Sequence, residues 1–177
     1  MNTEDGVIAE SVQPRPTARG SFDLRWISFG SPSAIVTSMA LIVGLDTATA
    51  TRMAVLASLL IIGVADNLTD SLSVHIYQES ERLAESYAFR TTVANFAARF
   101  TVSLSFILLF LALPTKMAVY ACLAWGGFLL SWLSYLLAKA RRVGALSEIL
   151  KHLGVAVVVI LLSSAIGLLI RSLAAYS

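Results

Sequence analysis

The sequence predicts an all-α integral membrane protein with five transmembrane helices, the second of which runs on into the cytoplasm. Three observations carry this expectation. First, 57% of the 177 residues are hydrophobic and only 14% charged, with a mean hydropathy of +0.78. A soluble domain carries roughly 25% charged residues. Second, the apolar residues gather into long runs, and a helix needs about 20 such residues to cross a bilayer. Third, when the runs are threaded in and out, the basic residues fall very unevenly on the two sides.

The elements follow in order. Residues 1–24 are polar, with Pro14, Pro16 and Gly20, and read as a disordered cytoplasmic tail before a five-helix transmembrane domain over 25–177. Trp26 and Phe29 suit an interfacial anchor. The first span runs from Trp26 to Leu45. Gly30-Ser31-Pro32-Ser33 interrupts its start, where Ser31 or Ser33 suits an N-cap and Pro32 a first turn. Gly44-Leu45-Asp46-Thr47 reads as the turn.

The second span starts at Arg52, reaches Asp70, and is expected to continue as a polar helix to Arg90, because no Pro or turn signal interrupts it. The third span is Val93–Leu113, closed by Pro114, with Asn95 and Arg99 near its start. The fourth, Met117–Ala138, carries Gly126-Gly127, Ser131 and Ser134, small residues that permit close helix approach. A basic loop with Lys139, Arg141 and Arg142 follows. Ser147 and Glu148 read as the start of the last helix, whose span is Leu153–Ile170.

Counting basic residues puts Arg15, Arg19, Arg25, Arg82, Arg90, Arg99, Lys139, Arg141, Arg142 and Lys151 on one side, against Arg52, Lys116 and Arg171 on the other. The first side is therefore expected to be cytoplasmic, with the N-terminus inside and the C-terminus outside. No cleavable signal is read at the N-terminus, and a bacterial inner membrane is expected in preference to an organelle membrane. Several function classes have no support. The basic residues are scattered without aromatic interleaving, which argues against nucleic acid. There is no Ser-His-Asp set, phosphate-cradling loop, CxxC or HExxH, so no enzyme chemistry and no tightly bound cofactor are expected. The single Cys122 sits in an apolar run as a packing residue.

The chemistry gathers at the end of the second span. Asp66 and Asp70 are four residues apart and share a helix face, which Ser73, Tyr77 and Glu81 continue. A carboxylate in hydrocarbon costs about 2.5 to 3.5 kcal/mol on insertion scales. Two on one stripe call for a cation, a buried partner or water. One expectation is a divalent ion on Asp66 and Asp70, with Ser33, Ser73 and Tyr77 as neutral oxygens and Asn67 or Glu81 assisting entry. His75 and Glu79, also four apart, form a possible two-ligand clip on roughly the opposite face. A proton relay through the same aspartates fits equally well. The competing expectation is a structural ion pair with Arg99, which should lie at the same depth. If the first two spans form a hairpin turning near Thr49, Ser33 and Asp66 also share that depth.

Two stretches resemble the vacuolar iron transporter (VIT) family. FGSPSAIVTSMALIVGL is similar to that family's first-span pattern, Gly-x-x-Asp-Gly before an apolar run ending in Gly. ADNLTDSLSVHIYQESER is similar to its second-span pattern of Ser-Met, Gly-Glu-Tyr and a charge-rich helix. The last span, LGVAVVVILLSSAIGLLI, is a weaker echo. The resemblance implies five spans, a long second helix entering the cytoplasm, Fe2+ or Mn2+ moved out of the cytoplasm, and a homodimer. The chain departs from the pattern at Ser33, where the family has Asp. It departs again at Asp70, where the family has Met, and at Val74-His75, where it has Glu-Tyr. The family's Glu-rich cytoplasmic domain is missing. The rival expectation is a non-transporting membrane scaffold or interaction subunit, with Asp66 and Arg99 purely architectural.

Overall fold

Five helices occupy the computed structural model, which describes residues 30–81 and 84–176. They are α1 (Ser31–Thr47), α2 (Arg52–Ser80), α3 (Glu85–Ala112), α4 (Thr115–Arg141) and α5 (Ala145–Ala174). No strand occurs among the described residues. α2 to α5 are each long and apolar enough to cross a membrane, while α1 is a shorter apolar helix of 17 residues. The expected tail over 1–24, the anchors Trp26 and Phe29, and Arg82 lie outside the described residues.

α1 begins without a side-chain cap. Gly30 occupies the N-cap position, Pro32 takes the first turn where its missing N–H is not needed, and Ser31 is buried. Neither Ser31 nor Ser33 caps the helix as expected. The helix also runs through the residues read as a turn. Asp46 and Thr47 are still helical, and the chain reverses at Ala48 and Thr49, the latter left-handed at φ 60°. Thr51 then caps α2, its hydroxyl accepting from the Ala54 N–H at 3.2 Å.

The largest departure from expectation is at the end of α2. The helix stops at Ser80 rather than running to Arg90, and α3 starts at Glu85. The reason lies in what the reversal pairs. α3 folds back antiparallel on α2, so that Gln78 meets Thr91 and His75 meets Thr92. At the opposite end Arg52 donates to the carbonyls of Phe110 and Leu111 at 3.1 and 2.6 Å. A cation there also complements the negative end of α3. The reversal adds these contacts between the helices to the hydrogen bonds that Thr91 and Thr92 make within α3. α2, at 29 residues, is comparable in length to α3, α4 and α5, at 28, 27 and 30.

Pro114 separates α3 from α4, with Leu113 extended before it as the proline ring requires. α4 ends on Arg142, left-handed at φ 56°, with Lys139 and Arg141 in its last turn. α5 starts at Ala145, ahead of the expected Ser147, and carries Glu148 in its first turn, 3.0 Å from Lys151.

α1 is the hub and packs against all four other helices. Ile35, Met39 and Ile42 from α1 meet Val55 and Leu59 of α2, Phe106 and Phe110 of α3, and Cys122 and Leu130 of α4 in one buried cluster. Cys122 is a core residue, fully buried. α5 touches α1 through small residues. The Ser163 hydroxyl donates to Ala40 O at 2.5 Å, and a Cβ on Gly167 would strike the Gly44 carbonyl. The rest of α5 is largely exposed apolar surface, as a lipid-facing helix should be.

Candidate functional site: an arginine between two aspartates

Two polar ladders face each other across α2 and α3. On α2, Gly63, Asn67 and Ser71 recur every four residues; on α3, Thr91, Asn95, Arg99 and Ser103 do the same. That spacing puts each set on one helix face. All seven residues are buried. Asn67 donates to Gly63 O at 2.5 Å and to Ser103 Oγ at 3.1 Å, and Asn95 donates to Ser71 Oγ at 3.3 Å.

Arg99 is the centre of this interface and is completely buried. Its Nε donates to Asn67 Oδ1 at 3.0 Å. Nη1 donates to Gly30 O at 2.6 Å and lies 2.6 Å from Asp70 Oδ2. Nη2 donates to Asp66 Oδ2 at 3.0 Å. One guanidinium thus ties the start of α1 to α2 from its place on α3. A buried charge needs such pairing, since an uncompensated one is strongly destabilising. Arg99 was counted above among the basic residues that set orientation. Buried and paired, it is no loop charge, which leaves nine against three.

The aspartates differ from the arginine in exposure. Asp66 and Asp70 keep 40% and 43% of their side-chain surface, against none for Arg99. Each contacts Arg99 through Oδ2. The cluster of two carboxylates and one guanidinium carries one net negative charge, and its acids open outward while its base is sealed behind them. The start of α1 adds the partial positive charge of a helix N-terminus.

Gly30 is required by this closeness. A Cβ there would lie 2.7 Å from Arg99 Cδ, 2.8 Å from Arg99 Nη1 and 2.8 Å from Asn95 Oδ1. The start of α1 and the acidic stripe of α2 lie next to each other, joined through Arg99.

The other candidate ligands do not join them. Ser33 is exposed, and Ser73 Oγ donates to Thr69 O in its own helix at 3.0 Å. Tyr77 is exposed, as is Glu81 at the end of α2. His75 lies away from the aspartates. Its Nδ1 is 3.2 Å from Thr92 Oγ1 and its Nε2 3.3 Å from Glu79 Oε1. Beside it, an open cleft of about 370 Å³ is lined by His75, Glu85, Ser86 and Phe89. Among the described residues, no three or more His, Cys, Asp or Glu side chains are grouped to hold a metal ion.

The sequence named Asp66, Asp70 and the Arg99 alternative, noted Asn95 in the third span without giving it a role, and passed over Ser71, Ser103 and the Gly30 carbonyl. The signal was there: four polar residues at strict four-residue spacing inside an apolar run. Comparison with protein-family models, curated proteins and solved structures finds no match to the chain.

Proposed function

We propose that this chain is a five-span, VIT-like membrane transporter that moves a divalent cation, Fe2+ or Mn2+, out of the cytoplasm, with Asp66 and Asp70 as the cation's seat. The observation that carries the reading is the asymmetry of the charge cluster. Two half-exposed carboxylates face outward, and a single sealed guanidinium holds them from behind. In this reading Arg99 is a resident cation that fills the seat between loading events. Two unit charges 4 Å apart repel by about 4 kcal/mol at an effective dielectric of about 20. A dication arriving at the carboxylates therefore competes with Arg99 and loosens its hold on them. Each carboxylate meets Arg99 through Oδ2, and its Oδ1 is the first point of attachment for the cation. His75 and Glu79 act as an approach to the seat, not as part of it. A homodimer follows from the resemblance and a cytoplasmic N-terminus from the charge count, and a bacterial inner membrane is part of the same proposal.

The test is ion uptake by the reconstituted protein. Liposomes carrying the wild-type chain should accumulate Mn2+ or Fe2+. The Asp66→Asn/Asp70→Asn variant should lose the accumulation. Equal uptake by both proteins removes these residues from the mechanism.

A second reading has its own observation. Arg99 joins α1, α2 and α3 at once, which is what an architectural clamp would do. In a scaffold, Arg99→Ala and Asp66→Ala would destabilise alike, and Mn2+ would leave the melting temperature unmoved.

A further inference from the structure

Among the described residues two buried side-chain atoms have no hydrogen-bond partner, Ser31 Oγ and, near Arg99, Asn95 Oδ1. Asn95 is 2% exposed and Ser31 3%. An unsatisfied buried acceptor is costly, so their presence calls for an explanation. Their place supplies one. Asn95 Oδ1 and Arg99 Nη1 each lie 2.8 Å from the point a Gly30 Cβ would occupy, so they are at most twice that, 5.6 Å, apart. Ser31 is the residue after Gly30. A hydrogen bond needs about 2.9 Å. A swing of less than about 3 Å would bring the guanidinium onto Asn95.

We infer that Asn95 Oδ1 is a second berth for the Arg99 guanidinium, occupied when Asp66 and Asp70 are taken by a cation or replaced by neutral side chains. In the present arrangement Arg99 uses two charged acceptors and two neutral ones. After the swing it would keep the neutral Asn67 Oδ1 and Gly30 O and exchange the aspartates for Asn95. The buried charge stays hydrogen-bonded throughout, which is the condition for moving it at all. Asn95 is then a positioning residue that acts through Arg99. The role in ion loading rests on the cation reading above; the berth itself does not.

The experiment is a double-mutant cycle on the full chain in detergent, read as melting temperature. Asn95→Leu is measured in the wild type and in Asp66→Asn/Asp70→Asn. The bond from Asn95 Nδ2 to Ser71 is lost in both backgrounds and cancels. The berth predicts that Asn95→Leu lowers the melting temperature by roughly 3 °C more in the neutralised background. Equal losses in the two backgrounds overturn it. If the double variant does not fold, Asp70→Asn alone serves, with the same sign expected. A structure of the neutralised variant gives an independent reading. Arg99 within hydrogen-bond reach of Asn95 Oδ1 supports the berth, and Arg99 unmoved at positions 66 and 70 overturns it. A wild type whose melting temperature ignores Mn2+ sinks the cation reading instead, and leaves the outcome of the cycle to decide the berth.

Discussion

Arg99 and its two aspartates do not share the energetic burden evenly. Removing one aspartate leaves the buried guanidinium with the other, with Asn67 and with Gly30 O. Removing both leaves a buried charge with neutral acceptors only, and breaking a buried pair in this way costs about 3 to 5 kcal/mol. Asp66→Asn and Asp70→Asn should therefore each lower the melting temperature modestly, and the double variant by clearly more than the two losses added. Simple additivity in a thermal melt would mean that the acids do not back each other up. Gly30 is equally specific. Gly30→Ala places a methyl group within 2.8 Å of Arg99 and Asn95, both fully buried. Overpacking of this kind costs roughly 1 to 3 kcal/mol. The variant should melt lower than the wild type and, if uptake is measured, should carry less Mn2+, because the shifted atom is Arg99 itself.

Among the helices, closeness is set by a few glycines, and their neighbours predict an order of tolerance. A Cβ on Gly167 meets backbone, the Gly44 carbonyl, which cannot step aside. A Cβ on Gly126 meets the Met39 thioether, a flexible side chain that can repack. A Cβ on Gly127 meets nothing within 4 Å. Melting temperatures should therefore fall most for Gly167→Ala, less for Gly126→Ala, and hardly at all for Gly127→Ala; Gly167→Ala at the wild-type value would refute the tight α1–α5 crossing. The helices themselves were legible in the chain, since runs of apolar residues and Pro114 mark them without help from tertiary structure. The end of α2 was not legible. Residues 81–84 hold no Gly or Pro, and the break depends on Thr91 and Thr92 meeting Gln78 and His75 across the hairpin, contacts that a local reading does not see. The same holds for the site. Asp66, Asp70 and Arg99 stood out as charges in apolar surroundings. Asn95 was visible only as one of the evenly spaced polar residues and Gly30 only as part of a helix start, because their importance comes from being next to Arg99 in space.

For the molecule as a whole, the short α1 is explained by its neighbours. At 1.5 Å per residue its 17 residues span about 26 Å, less than a hydrocarbon core of about 30 Å. It is buried among four longer helices, and its polar start lies against Arg99 and Asn95 rather than lipid, which is where an irregular backbone can persist at membrane depth. If α1 crosses with the others, the loop at Gly144 and the turn near Lys116 lie on opposite sides, and Tyr176 lies with Lys116. Cys122 makes this simple to test, because the native thiol is fully buried and should not react with an impermeant maleimide. Gly144 and Tyr176 are both exposed, and a Cβ on Gly144 meets nothing. Added to intact cells, the reagent should label Lys116→Cys and Tyr176→Cys at once and Gly144→Cys only after the membrane is opened. The reverse pattern would invert the orientation drawn from the nine basic residues. Labelling of all three from outside would mean that α4 and α5 do not cross the membrane, and the outward-facing aspartates would then lose the bilayer that makes their charge matter.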